Sequence, residues 1–513
     1  MKKGLKLFTS MIVIAMLTTS LVGCGSKSSS TDSGSSSSGA SKLKKVELTF
    51  YDMGEIPKDI DKFYEELDKL TLKDLNCTVR FKFSTWTDQN TKYNLMLTSG
   101  EKVDMAYSAD WMSYATNAKK GAFDGVDDLL PKYAPSIYKD IAKTTWEALK
   151  IDGKIYGVPT QYNEFVQHGA VYREDLRVKY NLPEIKDVDS LEKYIQTVKE
   201  KEPAMATPSY EASAFSELFA SGTTKYEGFD SLGLSAGNVP LMVDSSNPSV
   251  SVSVYDLPEY LAMANKMKTW ADKGFWSKSI LSSKENAQAN LENGKGAVWF
   301  GALPNKAKGS AEKVGLTHPD WKIGYFNYAD MNGKIYPARS NHNVMAVVKG
   351  AQNPERSLMF LEKIHTDKAY YDLIQYGVKG LNYNLTGEKL DYTKIDIANH
   401  SFDIAAWAMR NTPFMRENVN DWPGYKEVDT RLAKVGKPDP FDGFVFDVTN
   451  IQSENAAVSQ VITQYAVPLE AGLAKDNEAA IKTLKQKLKD AGFDKYKAEI
   501  DKQLKAFADK KKK

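Results

Sequence analysis

The chain has 513 residues, of which 42% are hydrophobic and 26% charged, a composition typical of an ordinary globular protein. A single core stops growing below this length, so we expect two or more lobes. The 68 basic and 66 acidic side chains nearly cancel, which argues against the concentrated positive field that nucleic-acid binding requires.

The N-terminal residues 1–23 have the layout of a secretory signal, with basic residues first and an apolar run after them. The run ends in Leu21-Val22-Gly23-Cys24, which looks like a bacterial lipobox, the signal after which a cysteine is cleaved free and receives a diacylglycerol. The alternative is a single transmembrane anchor with an incidental cysteine, although the run is short for a membrane span. We therefore expect lipidation at Cys24.

The segment that follows the signal is rich in serine and glycine and cannot bury enough apolar surface to fold. It predicts a flexible tether that holds the globular part away from the membrane. Cys77 is the only other cysteine, so the mature chain can form no internal disulfide. We expect Cys77 to be a small buried residue at the start of a strand.

From residue 46 the chain alternates between strand and helix patterns. Apolar residues alternate over 46–50 and 79–83, as in strands, and recur at helical spacing over 60–70. A helix over 88–99, stopped by Gly100, precedes a strand over 103–107. This order predicts a parallel sheet with crossover helices, whose ligands collect at the carboxyl ends of the strands.

Glycine and proline punctuate residues 151–159, where we expect the chain to cross to a second lobe. It is expected to return near 336–345. The further elements predicted by periodicity are a strand over 165–172, a helix over 261–273, a strand over 297–300, a helix from residue 354 and two amphipathic helices in the C-terminal tail. The run Lys510–Lys513 is expected to be solvated, or to touch anionic lipid.

Catalytic motifs are scarce. The string Gly233-Leu-Ser235-Ala-Gly237 matches the nucleophile-elbow pattern, but Asn238-Val-Pro240 continues as an extended segment where that motif requires a helix. The five histidines are scattered without metal-ligand spacing, so we expect no catalysis, no cofactor and no metal. Paired carboxylates for glycoside hydrolysis stay open as an alternative, since such partners can be distant in sequence.

Aromatic residues near predicted strand ends are the positive signal for binding. The C–H face of a sugar ring rests on an aromatic face, while its hydroxyl groups need polar side chains at the rim. The strongest candidates stand beside polar neighbours, in Tyr107–Trp111 and in Trp86–Gln89. Each could instead be a core residue, which is the expectation for Trp270 and Trp276.

Six segments carry a family resemblance: Ser99–Tyr107, Gly125–Pro135, Asp152–Pro159, Val171–Leu176, Leu291–Gly296 and Tyr376–Gly380. Together they resemble the family 1 extracellular solute-binding proteins of sugar ABC importers, and within them the large lipoproteins of Gram-positive bacteria. The resemblance implies a periplasmic-binding-protein-like α/β fold, in which two α/β lobes with parallel-type sheets are joined by hinge strands and close on the ligand.

The implied organisation is a signal peptide over 1–23, a lipidated cysteine and tether over 24–43, the first lobe over 44–157, the second over 158–338, a return to the first over 339–400, and a C-terminal helical region, mainly in the second lobe, over 401–513. The resemblance and the aromatic candidates together predict these ligand-binding residues: Tyr51, Asp52, Trp86, Tyr107, Asp110, Trp111, Tyr162, Asn163, Trp299, Arg339, Asn341, Asn343 and Trp407. Unlike the narrower group, the chain has no basic or imidazole residue before Tyr383.

The function that the resemblance implies is capture of a carbohydrate, expected to be an oligosaccharide, and its delivery to the permease subunits of an ABC importer. We expect a monomer without nucleic-acid partners, anchored by lipid on the extracellular face of a bacterial cytoplasmic membrane. The alternatives are a secreted glycoside hydrolase and, further off, a surface adhesion or peptide-capturing protein.

Replacing Cys24 by Ala is expected to abolish lipidation, because the thiol is the acceptor of the diacylglycerol. Metabolic labelling with a radioactive fatty acid should mark the wild-type protein and leave Cys24→Ala unmarked. Equal labelling of the two proteins would contradict the assignment.

Overall fold

The computed structural model describes residues 43–205 and 247–511 and, between them, residues 215, 218, 219, 226, 227 and 240–244. The predicted signal, Cys24 and the Gly233–Gly237 string lie outside the described residues. No helix in the described ranges is long and apolar enough to cross a membrane.

The strands are β1 (Val46–Met53), β2 (Cys77–Ser84), β3 (Met105–Ser108), β4 (Gly157–Pro159), β5 (Gly169–Arg173), β6 (Tyr226–Glu227), β7 (Leu241–Asp244), β8 (Asn247–Ser253), β9 (Val298–Ala302), β10 (Ile323–Asn327), β11 (Val344–Val347), β12 (Asn384–Thr386) and β13 (Lys389–Asp391). The α-helices are Ile60–Leu75, Gln89–Ser99, Tyr114–Lys119, Leu130–Tyr133, Pro135–Asp140, Lys143–Leu149, Glu174–Lys179, Val188–Lys201, Pro258–Asp272, Ala287–Glu292, Pro304–Thr317, Pro354–Thr366, Lys368–Tyr376, Ile397–His400, Pro423–Val435, Gln452–Val461, Val467–Glu470, Asn477–Asp490 and Phe493–Lys511.

The first lobe is built on a five-stranded sheet in the order β2-β1-β3-β11-β4. β1 runs parallel to β2 and β3, whereas β11 runs antiparallel to both β3 and β4. The carboxyl ends of β1 to β4 therefore share one edge of the sheet with the amino end of β11. Its core includes Phe50, which is fully buried and meets the rings of Phe81 and Phe360 edge-on.

The second lobe contains a three-stranded sheet in the order β10-β5-β9, and both of its strand pairs are antiparallel. This differs from the parallel type that was expected. β9, the helix Pro304–Thr317 and β10 do form a strand, helix, strand unit with parallel strands, but β5 lies between them and runs the opposite way. The periodicity of the sequence predicts the strand, helix, strand unit, but it cannot show that β5 is inserted between the two strands.

The hydrophobic core of the second lobe, which we call the second core, includes residues of the β10-β5-β9 sheet and of the C-terminal helices. The helices contribute Leu484, Leu488 and Ile500. Trp270 and Trp276 lie in this core, as expected of them. The C-terminal region therefore packs mainly on the second lobe. The smaller second-lobe sheet β6-β7-β8 lies on the same core, through β7.

Three segments link the two sheet-bearing lobes. The chain leaves β4 for β5 through residues 160–168 and returns from β10 to β11 through 328–343. A third crossing runs through 410–422 to the helix Pro423–Val435, which packs against Pro304–Thr317. The expected organisation implied this crossing near residue 400, about ten residues earlier in the chain.

The expected lobe boundaries differ from the structure in two places. Val158 and Pro159 belong to β4 of the first sheet, although they were assigned to the second lobe. Ile404 and Met409 pack in the first core, although residues from 401 onward were assigned mainly to the second. Short segments beside a hinge carry too few apolar residues for sequence patterns to show which core takes them.

Candidate functional site

The candidate site lies at the edge of the first sheet where β3 ends and β11 begins. The backbone N–H of Asp110 donates to the carbonyl of Asn341 at 2.9 Å. The hydroxyl of Tyr107 donates to Oδ1 of Asn343 at 2.6 Å, and Nδ1 of His342 lies 3.0 Å from Oδ1 of Asp110. Because β3 and β11 are adjacent and antiparallel, Tyr107 and Asn343 meet here although they are 236 residues apart in the chain.

Four aromatic side chains form a continuous cluster at this edge, and we call Trp86, Trp407, Tyr107 and Trp111 the aromatic cluster. The rings of Trp86 and Trp407 are stacked, with centroids 5.6 Å apart and planes at 23°. Tyr107 meets Trp407 edge-on at 5.9 Å and lies 6.0 Å from Trp111. Trp86 is 51% exposed, so a stacked pair of rings offers a free aromatic face to solvent.

Glu164 links this edge to the second lobe, and the sequence analysis did not identify it. Its Oε1 accepts a hydrogen bond from Nδ2 of Asn305 at 3.0 Å, at the start of the helix Pro304–Thr317. Its Oε2 lies 3.3 Å from Nη1 of Arg410 and accepts from Nδ2 of Asn343 at 3.4 Å. Glu164 itself lies on the first crossing, Asn343 lies on the second and Arg410 lies on the third. The carboxylate of Glu164 therefore connects all three crossings.

The predicted neighbours of Glu164 lie at the same place. The hydroxyl groups of Tyr162 and Tyr425 are 3.0 Å apart, and the guanidinium of Arg410 lies 5.3 Å from the centre of the Tyr162 ring. Asn163 is exposed. Tyr425, on the helix Pro423–Val435, is a second residue that the sequence analysis missed, since nothing before the fold links it to Tyr162.

Tyr51 and Asp52 were expected in the loop after the first strand, but both lie inside β1 and are buried. Tyr51 is packed against the ring of Tyr93 in the first core. Asp52 is fully buried, with Oδ1 accepting from the N–H of Met53 and no hydrogen-bond partner for Oδ2 among the described residues. Burial raises the pKa of Asp52 well above its ordinary value, and the nearby charge of Asp403 adds to the shift. The surroundings therefore favour the neutral acid.

The pKa of Asp110 is shifted in the opposite direction from that of Asp52. Burial disfavours its charge, but the attraction and hydrogen bond of His342, with a contribution from Arg339, hold the pKa of Asp110 below its ordinary value. Asp110 therefore stays ionised and fixes the imidazole of His342 at the cleft edge. Asn341 beside it is buried, and its Oδ1 has no hydrogen-bond partner among the described residues.

Two predicted residues do not join the site edge. Arg339 is nearly buried, donates from Nη1 to the carbonyl of Phe444 at 2.9 Å and lies 3.3 Å from the carboxylate of Asp439. It therefore fixes the segment that follows the third crossing. Trp299 was expected at a strand-to-loop turn, but it lies inside β9 opposite Val171, is only 8% exposed and packs in a core cluster of the second lobe.

The segment 439–447 also contacts both lobes. Ser340 of the second crossing donates to Asp442 through its N–H at 3.0 Å, and Lys119 of the first lobe pairs with Asp447 at 2.9 Å. Phe444 lies in the second core, while Val445 packs against the first. This segment therefore adds a non-covalent link between the lobes beside the three crossings.

Comparison with known proteins identifies the family. Residues 61–385 match the family model described as bacterial extracellular solute-binding protein. The chain belongs to this family. Residues 440–509 match a domain of unknown function, DUF3502, so the segment that contacts both lobes begins at the boundary of that domain.

Solved structures and a curated relative agree with this family. A carbohydrate ABC transporter substrate-binding protein of Streptococcus pneumoniae serotype 4 is 23% identical over 518 residues, 98% of each chain. The N-glycan transport solute binding protein NgtS of Streptococcus pneumoniae superimposes with a TM-score of 0.75 at 20% identity, covering 91% of this chain and all of that one. NgtS in complex with Man5GlcNAc gives 0.66 at 20% identity, with 91% and 99% covered. The predicted family and the periplasmic-binding-protein-like fold are confirmed.

Trp86 is half-exposed and Trp299 is buried, so replacing each by alanine should change the free energy of unfolding by different amounts. Trp86→Ala removes a half-exposed ring from one stacked pair, so we expect a loss of about 0.5–1.5 kcal/mol in the free energy of unfolding. Trp299→Ala leaves a cavity in a packed cluster, so we expect about 3–5 kcal/mol. Denaturant unfolding of the two variants measures the difference, and equal losses would contradict the placement of the rings.

Proposed function

We propose that this protein is the substrate-binding component of an ABC importer and captures an oligosaccharide between its lobes. The observation that carries the proposal is the aromatic cluster, in which the stacked rings of Trp86 and Trp407 adjoin Tyr107. Tyr107 donates to Asn343, which in turn contacts Glu164 beside Arg410. A flat C–H face and a rim of hydroxyl groups are what a sugar offers to such an arrangement. The relative named as a carbohydrate transporter component and the NgtS complexes with Man1GlcNAc and Man5GlcNAc support it.

Binding would proceed by closure of the lobes. A sugar stacked on Trp86 and Trp407 would hold the first lobe, and contacts near Asn305 would hold the second. Because such a ligand has more contacts in the closed state than in the open one, it must shift the population toward closure. Asp110 and Asn163 would supply further hydrogen-bonding groups as the lobes approach.

The proposal includes the location and the partners. Lipid at Cys24 would hold the protein on the extracellular face of the cytoplasmic membrane, with the serine-rich segment as a tether. The partner that receives the sugar would be the permease of the importer, and the binding protein would act as a monomer. In the proposed division, residues 44–159 and 344–409 form most of the first lobe, and the second lobe takes the rest of the folded chain.

Removing either ring of the stacked pair should weaken sugar binding. We expect Trp86→Ala and Trp407→Ala each to lose on the order of 1–3 kcal/mol of binding free energy, the usual contribution of a stacked ring. Isothermal titration with an oligosaccharide that the wild type binds measures the loss.

The matched control is Trp321→Ala. Trp321 precedes β10 at the end of the second sheet remote from the crossings, and lies under the guanidinium of Arg173 at 3.5 Å. Its removal should leave the affinity unchanged. Wild-type affinity in both cleft variants would contradict the proposed site, and recovery of shortened sugar after incubation with purified protein would favour the hydrolase alternative.

A further inference from the structure

The basic side chains named near the site edge each have a carboxylate partner. Arg410 faces Glu164 at 3.3 Å and His342 faces Asp110 at 3.0 Å. Lys92, which follows Trp86 in the chain, pairs with Asp88 at 2.6 Å. Arg410 and Lys92 are therefore already engaged by the protein's own carboxylates, and Nδ1 of His342 by Asp110.

We propose that Glu164 is a specificity-determining residue that makes the cleft select neutral oligosaccharides over those that contain uronate. The inference rests on the proposed function and names the chemical class of its ligand. Its basis is the juxtaposition of Glu164, Arg410 and Asn305 between the aromatic cluster and the second lobe.

The selectivity follows from the charge and the burial of the pair. The side chain of Glu164 is 11% exposed and that of Arg410 is 18% exposed, so solvent screens their field only weakly. A uronate placed here would stand beside the Glu164 carboxylate, and like charges held together across an interface disfavour binding strongly. Arg410 could not form an ion pair with the uronate without leaving the carboxylate of Glu164 unpaired.

A neutral sugar meets no such obstacle. A carboxylate has about four acceptor directions, and the hydrogen bonds of Glu164 to Asn305, Asn343 and Arg410 occupy three of them. The remaining direction can accept a hydroxyl proton. Glu164 thus supports binding of a hydroxyl group at the same position at which it repels a carboxylate.

The test uses ligands that differ only at the oxidised carbon. Matched trisaccharide pairs, such as β-1,4-mannotriose and β-1,4-trimannuronate, cellotriose and its uronate, and galactotriose and its uronate, are titrated at one fixed salt concentration. We expect the wild type to bind the neutral member of at least one pair and to bind its uronate at least about tenfold more weakly, the effect of one charged hydrogen bond.

Glu164→Gln keeps the size of the side chain and an acceptor for Asn305 while leaving Arg410 without its partner. It should raise uronate affinity relative to the neutral sugar by on the order of tenfold, and the gain should shrink as salt is added. Asn305→Ala is the matched control, because it breaks the hydrogen bond from Asn305 to Glu164 and leaves the pair with Arg410 intact. It should give no gain. The double variant Glu164→Gln, Arg410→Gln should lose the gain again.

The outcomes separate the inference from the function on which it rests. A wild type that binds a uronate as tightly as its neutral partner, or a folded Glu164→Gln that leaves the ratio unchanged, overturns the inference and leaves sugar capture standing. A wild type that binds no member of any pair overturns sugar capture and the inference together. If Glu164→Gln does not fold, the ratio measured for the wild type decides.

Discussion

The carboxylate of Glu164 is the contact on which the geometry of the cleft depends. A charge that is almost buried must be paired and hydrogen-bonded, and the partners of Glu164 come from separate parts of the fold. Asn343 lies on the second crossing and Arg410 on the third, whereas Asn305 belongs to a helix of the second lobe. One carboxylate therefore connects the three crossings to the helix Pro304–Thr317 of the second lobe.

The mixed sheet explains why these groups meet. A parallel sheet alone would gather only the residues that follow its strands. Because β11 returns antiparallel between β3 and β4, the residues before it join the same edge, so Asn341 and Asn343 lie beside Asp110 and Tyr107. Trp407, just before the third crossing, and Arg410, at its start, also lie at this edge. Aromatic and polar groups from five chain segments are thus combined in one site.

Local elements could be predicted because their signals are local. The helix expected over 88–99 is found at Gln89–Ser99, and Gly100 ends it in the left-handed conformation, φ 72°, that favours glycine. The position of Trp86 and Tyr107 after or at the end of strands also follows from alternation and placed both in the candidate site. Their neighbour Trp407 came from the family resemblance.

What escaped prediction depends on contacts between distant residues. Glu164 looks like any exposed acidic residue in the sequence, and its importance comes from Asn305 and Arg410, which lie 141 and 246 residues away. Trp299 illustrates the reverse error. It stands in a strand with aromatic neighbours, and only the entry of β5 beside β9 determines that its ring packs inside the second lobe. The alternation of apolar and polar residues shows which side chains share a face of a strand. Which face is buried depends on how the lobe packs around that strand.

The central claim is that a sugar is held between two lobes that close on it. Small-angle X-ray scattering of the purified protein, with and without a saturating oligosaccharide that calorimetry shows to bind, tests this claim most directly. The account predicts that the radius of gyration falls when the sugar is bound, because contacts to both lobes favour the closed population. An unchanged radius of gyration at saturation would contradict it, even with binding established.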